Sequence, residues 1–128
     1  MTFLKSTFHF WLNNKHFPDS LCVEWLDGKR WRLISSFSYH RNNGEIIIVP
    51  KDFITDFGSK PPIVWIFIGS PTDEGGPAYL VHDFLCYIPN YPKSKADRIF
   101  YEAMRDLGVP YLKRTVMYFS VRVWHGFR

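Results

Sequence analysis

Three acids and one histidine stand where ionisable groups are unusual. In the run Ala78-Tyr79-Leu80-Val81-His82-Asp83-Phe84-Leu85-Cys86-Tyr87-Ile88, His82 and Asp83 supply the one imidazole and the one carboxylate. A helix apolar all round is a buried helix. Burying a carboxylate without a partner costs roughly several kcal/mol, so a hydrogen-bond network, a cation or a metal is expected beside it. Neighbours on a helix diverge by about 100°, so the two residues border one groove rather than share one face. Asp97 repeats the anomaly at the head of an apolar stripe of Phe100, Ala103 or Met104, and Leu107. A third cluster, Thr55-Asp56-Phe57-Gly58-Ser59-Lys60-Pro61-Pro62, begins directly after a strand, where functional loops often start. A neutral imidazole deprotonates water near pH 7 when a carboxylate on its other nitrogen fixes the tautomer. A hard cation nearby would polarise a carbonyl. Each feature also has a purely structural explanation. With Ser94 as N-cap, Asp97 falls at the third helical position, where a carboxylate suits backbone N–H groups and the helix dipole. Asp56 and Ser59 suit an Asx-turn and a cap.

The elements that must position these groups change character near residue 60. The first half reads as strands. Val23–Leu26 and Lys29–Ile34 flank Asp27-Gly28, a two-residue hairpin signal. Asn42-Asn43-Gly44 leads into Ile46–Val49, a β-branched run expected to be a buried strand. Phe3–Phe10 is a further strand candidate. The second half reads as helices. Pro61-Pro62 opens a short turn through Ile68. Pro77 suits the first position of a helix to about Ile88. Ser94 starts a second helix that Gly108 and Pro110 end near Leu107. A third runs from Pro110 or Tyr111 to about Trp124, with Leu112, Val116, Phe119 and Val123 expected to face the core. The short Pro89–Lys93 link makes the first two helices antiparallel neighbours, which brings His82 within reach of Asp97. The expected architecture is α+β: an N-terminal antiparallel β-meander packed against about three C-terminal α-helices. Residues 1–128 are expected to form one domain, mainly β over 1–60 and mainly α over 61–128.

Length and composition fit that picture. A chain of 128 residues, 46% apolar and 19% aromatic, has material for one core and is not disordered. Cys22 and Cys86 sit in no metal-ligand spacing and read as reduced thiols buried as small hydrophobes. The first residues carry no basic segment followed by an apolar core, so no secretory signal is expected. No uncharged stretch is long enough to span a bilayer. The net charge of +4 lies wholly in residues 107–128, where Lys113, Arg114, Arg122 and Arg128 meet no acid. Those four cations suggest an anionic partner, or a solvated helix face.

Taken together, Thr55-Asp56-Phe57-Gly58-Ser59-x-Pro61, His82-Asp83-Phe84-Leu85 and Ala96-Asp97-x-x-Phe100-x-x-Ala103 resemble a family of small bacteriophage and prophage proteins. That family is a domain of unknown function, number thirteen fifty-three, and the resemblance spans roughly residues 45–125. It implies a phage origin, a site in the virion or the host cytoplasm, and no particular activity. The His-Asp helix followed by Ala-Asp-x-x-Phe also looks like the phospholipase A2 pattern, most of all its parvovirus capsid version. That likeness implies His82 as general base, Asp97 as the acid orienting it and Asp83 as a Ca²⁺ ligand, with an ester or lipid substrate. Cys86 stands where that pattern has tyrosine, Tyr87 comes one residue later, and the glycine-rich calcium loop is not recognisable.

Three functions follow as expectations. In a metal-assisted hydrolase, His82 and Asp97 are catalytic, Asp83 and Asp56 hold the metal, and Thr55, Ser59 and Tyr87 support them. In a phage structural or host-interaction protein, the same groups form a buried network and the partner is a phage or host protein. In the third, the basic segment 111–128 contacts nucleic acid or a membrane surface. No residue pattern demands a cofactor, and only the phospholipase likeness points to calcium.

Overall fold

The computed structural model describes residues 7–28, 30–56 and 75–124. The fold is α+β: antiparallel strands come first and three helices follow. The chain divides into two compact units, residues 1–56 and 57–128, close to the border expected from composition. The strand candidate before Thr7 and the turn opened by Pro61-Pro62 lie outside the described residues.

In the first unit, strands β1 (Thr7–Phe10), β2 (Leu21–Asp27), β3 (Arg30–Leu33) and β6 (Ile54–Thr55) form one antiparallel sheet in that order. Strands β4 (Phe37–His40) and β5 (Ile46–Val49) pair with each other in a separate ladder, so the strands do not make one continuous meander. The hairpin between β2 and β3 turns one residue later than Asp27-Gly28 predicts. Asp27 is still in the strand, opposite Arg30, because the register shifts between Trp25 and Asp27. Arg30 then donates two hydrogen bonds, of 2.8 and 2.7 Å, to the Asp27 carboxylate. The run Ile46–Val49 is buried on one face only. Ile47 and Val49 point inward while Ile46 and Ile48 are exposed, since β5 has a single partner strand and the pleat alternates. Phe17, stacked on Tyr39 at 4.7 Å and on Phe37 at 5.9 Å, stands at the centre of this unit's core. On β2 and β3, Glu24 and Arg32 face each other as a cross-strand ion pair, and Arg32 also reaches Asp52 at 2.6 Å.

In the second unit, helices α1 (Gly76–Tyr87), α2 (Lys93–Asp106) and α3 (Tyr111–Trp124) follow one another through short links. Side-chain pairs fix their directions. His82 and Tyr79 of α1 meet Asp97 and Phe100 of α2 in reverse order. Lys93 and Tyr101 of α2 meet Val121 and Tyr118 of α3, likewise in reverse order. Each helix is therefore antiparallel to the next. Pro77 sits in the first turn of α1, where its missing N–H is harmless. Ser94 is not a cap. Pro92 holds the N-cap position and contributes no side-chain hydrogen bond, so α2 starts before Ser94 and Asp97 lies more than a turn inside the helix. The C-terminus of α2 follows the Schellman pattern. Gly108 has φ +84°, its N–H bonds the Arg105 carbonyl at 3.0 Å, and the Val109 N–H bonds the Met104 carbonyl at 3.0 Å. Val109 and Met104 are both fully buried, which seals the turn with an apolar contact at the chain reversal into α3.

That reversal depends on the left-handed conformation of Gly108. A Cβ there would meet nothing within 4 Å, so substitution tests conformation alone. Gly108→Ala should lower stability in urea unfolding by about 1–2 kcal/mol, the cost of placing an L-residue in that region.

Candidate functional site

Helix α1 is apolar over most of its surface, and Ala78, Leu80, Val81 and Leu85 are all at 2% exposure or less. His82 shares that environment at 5% and Asp97 of α2 is at 0%. Antiparallel α1 and α2 bring the two together: His82 Nε2 lies 2.6 Å from Asp97 Oδ1. The His82 ring also leans on Phe100 at 4.8 Å between centroids.

Asp97 has two further partners. Lys93, one turn earlier on α2, donates to Oδ2 at 2.5 Å, and Arg122 of α3 donates to the same oxygen at 3.0 Å. Lys93 also donates to the Val121 carbonyl at 2.9 Å. One carboxylate thus ties together side chains from all three helices, and the lysine beside it also binds a backbone carbonyl of α3.

The electrostatics follow from this geometry. Burial alone would push the His82 imidazole towards neutrality. The hydrogen bonds to Asp97 and Cys86 prevail, and its pKa is raised to about 9. Burial would likewise raise Asp97, but the hydrogen bonds from His82 and Lys93, with Arg122 behind them, hold it down to about 2. At neutral pH the pair is imidazolium and carboxylate.

The other expected site residues are distributed as follows. Asp83 is half-buried on α1 next to His82, and Tyr87, at the end of that helix, is 74% exposed. Cys86, one turn after His82, places Sγ 3.6 Å from Nε2. Thr55 is buried on β6 and Asp56 follows it, both in the first unit. Ser59 lies outside the described residues. Among the described residues, no group of three His, Cys, Asp or Glu side chains is arranged to hold a metal ion. The α1 and α2 spacings carried two signals for what sequence reasoning missed. Lys93-x-x-x-Asp97 and His82-x-x-x-Cys86 both place their members one turn apart.

Two cations of the basic segment have partners within the helical unit. Arg122 is occupied by Asp97. Arg114 donates to the Val109 carbonyl at 2.9 Å and to the Tyr101 hydroxyl at 3.2 Å, and its guanidinium lies over the Tyr101 and Tyr111 rings. Lys113 is half-exposed and Arg128 lies outside the described residues. The stripe expected to face the core is instead on the surface: Leu112, Phe119 and Val123 are 59–76% exposed. Met117 and Val121 are the buried pair on α3. They share a face with Arg114, Tyr118 and Arg122, and the polar partners of those arginines turn that face inward.

Residues 31–121 match the model of a family described as "Protein of unknown function (DUF1353)". The chain belongs to this family. It is 34% identical over 96 residues to Uncharacterized protein y4jT of Sinorhizobium fredii (strain NBRC 101917 / NGR234), covering 73% of this chain and 28% of the relative. It is 29% identical over 96 residues to Uncharacterized protein y4iH of the same organism, covering 74% of this chain and 40% of the relative. The chain thus spans well under half the length of these curated relatives. No solved structure matches it. Among the described residues, no helix is long and apolar enough to cross a membrane.

The site's pH dependence has a definite sign. His82 is raised in the folded state, so its contribution is complete below about pH 6.5 and is lost as pH rises towards about 9. Asp97 is lowered, so its contribution is complete above its ordinary range and is lost as pH falls towards about 2. The urea midpoint should therefore fall between pH 6.5 and 9.5, and His82→Gln should flatten that alkaline slope.

Proposed function

We propose that this chain is a binding module of a phage or prophage protein, acting in the virion or the host cytoplasm through contacts with a phage or host protein, and that its His82–Asp97 pair is structural. The observation that carries this is the saturation of Asp97: a carboxylate without solvent exposure, held by His82, Lys93 and Arg122. An imidazolium kept charged to about pH 9 is a poor acceptor for a proton from water at neutral pH. A general base works best with a pKa near the operating pH. The extent of the relatives also favours a module, since comparable segments occupy 28% and 40% of longer chains. On α3, Leu112, Phe119 and Val123 form an exposed apolar face of the kind protein interfaces use.

The alternative is a phospholipase A2-like hydrolase. It draws on the same 2.6 Å contact, in which Asp97 would orient His82, with calcium at Asp83. The two hypotheses differ in the protonation of one ring. Titration of the His82 ring nitrogens by ¹⁵N NMR should show an imidazolium persisting to about pH 9. A midpoint between 6 and 7 would make His82 competent as a base and favour the hydrolase. Added millimolar Ca²⁺ should leave the His82 and Asp83 resonances in place if the site is structural.

A further inference from the structure

Helices α2 and α3 border an open cleft of about 460 Å³ whose lining residues are distinct from those of the Asp97 network. From α2 it is lined by Arg98, Tyr101, Glu102 and Arg105, which recur at one-turn spacing along a single face. From α3 it is lined by Tyr111, Thr115, Tyr118 and Phe119. Aromatic rings dominate the walls. Tyr101 and Tyr118 meet edge to face at 5.7 Å, and Tyr118 and Phe119 at 5.3 Å. Tyr111 and Phe119 keep 68% and 59% of their surface exposed, so their faces are open to a ligand.

The charge of the cleft is uneven. Arg98, Arg105 and, behind the wall, Arg114 stand against the carboxylates of Glu102 and Asp106; Arg105 donates to Asp106 Oδ1 at 3.3 Å and its side chain remains 47% exposed. Behind the wall, Arg114 lies 5.4 Å from the Tyr101 ring centroid and 5.3 Å from that of Tyr111. Its hydrogen bond to the Tyr101 hydroxyl draws that phenol below its ordinary range, although burial opposes this. The arginine thus fixes both tyrosines from behind and leaves their outer faces available. Seven residues separate Arg98 from Arg105, which is about 10 Å along a helix.

Aromatic faces between two guanidinium groups match a ligand with a planar aromatic body and anionic ends. We propose that this cleft binds a nucleotide unit, its base stacked on Tyr111 or on Phe119, which lie about 12 Å apart along α3, and its phosphate held by Arg98 or Arg105. Stacking on aromatic side chains with arginines tracking the backbone is how proteins hold single-stranded nucleic acid without reading its sequence. A free nucleotide has the same two chemical parts. This goes beyond the structural role given to His82 and Asp97, because the cleft shares no residue with that network. Failure of one leaves the other untouched.

The test is binding of two probes to the whole chain: a fluorescein-labelled oligothymidylate of ten nucleotides, followed by anisotropy, and ATP without metal, followed by NMR line shifts. Arg98→Ala with Arg105→Ala should weaken binding at least tenfold and make it less dependent on salt, because fewer counterions are released. Tyr111→Ala with Phe119→Ala should weaken it by about 5- to 100-fold, the range seen when one stacking ring is removed. Arg30→Ala, in the first unit, should leave it unchanged. Tighter binding of the oligonucleotide than of ATP identifies single-stranded nucleic acid as the source of the ligand, and the reverse order identifies a free nucleotide. No binding of either probe at millimolar concentration overturns the proposal. So does binding that the cleft variants leave unchanged in proteins whose far-ultraviolet circular dichroism is intact.

Discussion

The helical unit depends on one buried negative charge. Asp97 has no solvent exposure, and a lone carboxylate there would be strongly destabilising. The fold meets that requirement with a donor from each helix: His82 from α1, Lys93 from α2 itself and Arg122 from α3. The same contacts fix how the helices lie against each other. His82 sets the register of α1 on α2, while Arg122 and the Lys93 bond to the Val121 carbonyl set that of α3. A network of this kind gives geometry rather than net stability, because an apolar replacement of the whole cluster can be as stable as the ions it removes. Removing one member is different, since it strands the rest.

This constraint accounts for the parts of α3 that ran against simple amphipathicity. Leu112, Val116, Phe119 and Val123 recur at helical spacing and predict an inward face. The inward face is instead the one carrying Arg114, Met117, Val121 and Arg122. Long arginine side chains lay their aliphatic stems along apolar surface and bring the charged head to a buried acceptor. A count of apolar residues scores such positions as solvent-facing. The displaced stripe is therefore on the surface, where it and the neighbouring aromatic cleft are available to partners.

Much of the local structure was legible because its causes are local. Pro77, Gly108 and Pro110 mark helix ends through restrictions on φ and on hydrogen bonding, and the helix bounds lie within two residues of those marks. The approach of His82 to Asp97 was legible from burial logic and a short link. Their three-way sharing of charge was not, because Lys93 and Arg122 look like ordinary surface cations in one dimension. The capping box at Ser94 failed because Pro92 starts the helix earlier. Cys86 read as an inert hydrophobe, yet it sits at the histidine. The turn at Asp27-Gly28 slipped by one residue because an irregularity in β2 shifts the register, and a propensity argument does not see bulges.

The Asp97 carboxylate holds the three helices together through His82, Lys93 and Arg122. Equilibrium unfolding in urea of Asp97→Asn, which keeps the shape and removes the charge, tests this. A loss of about 3–5 kcal/mol, the usual cost of stranding buried partners, is the predicted result. A loss of less than about 1 kcal/mol, within the ordinary range for a surface substitution, would contradict it and return Asp97 to the list of residues kept for chemistry.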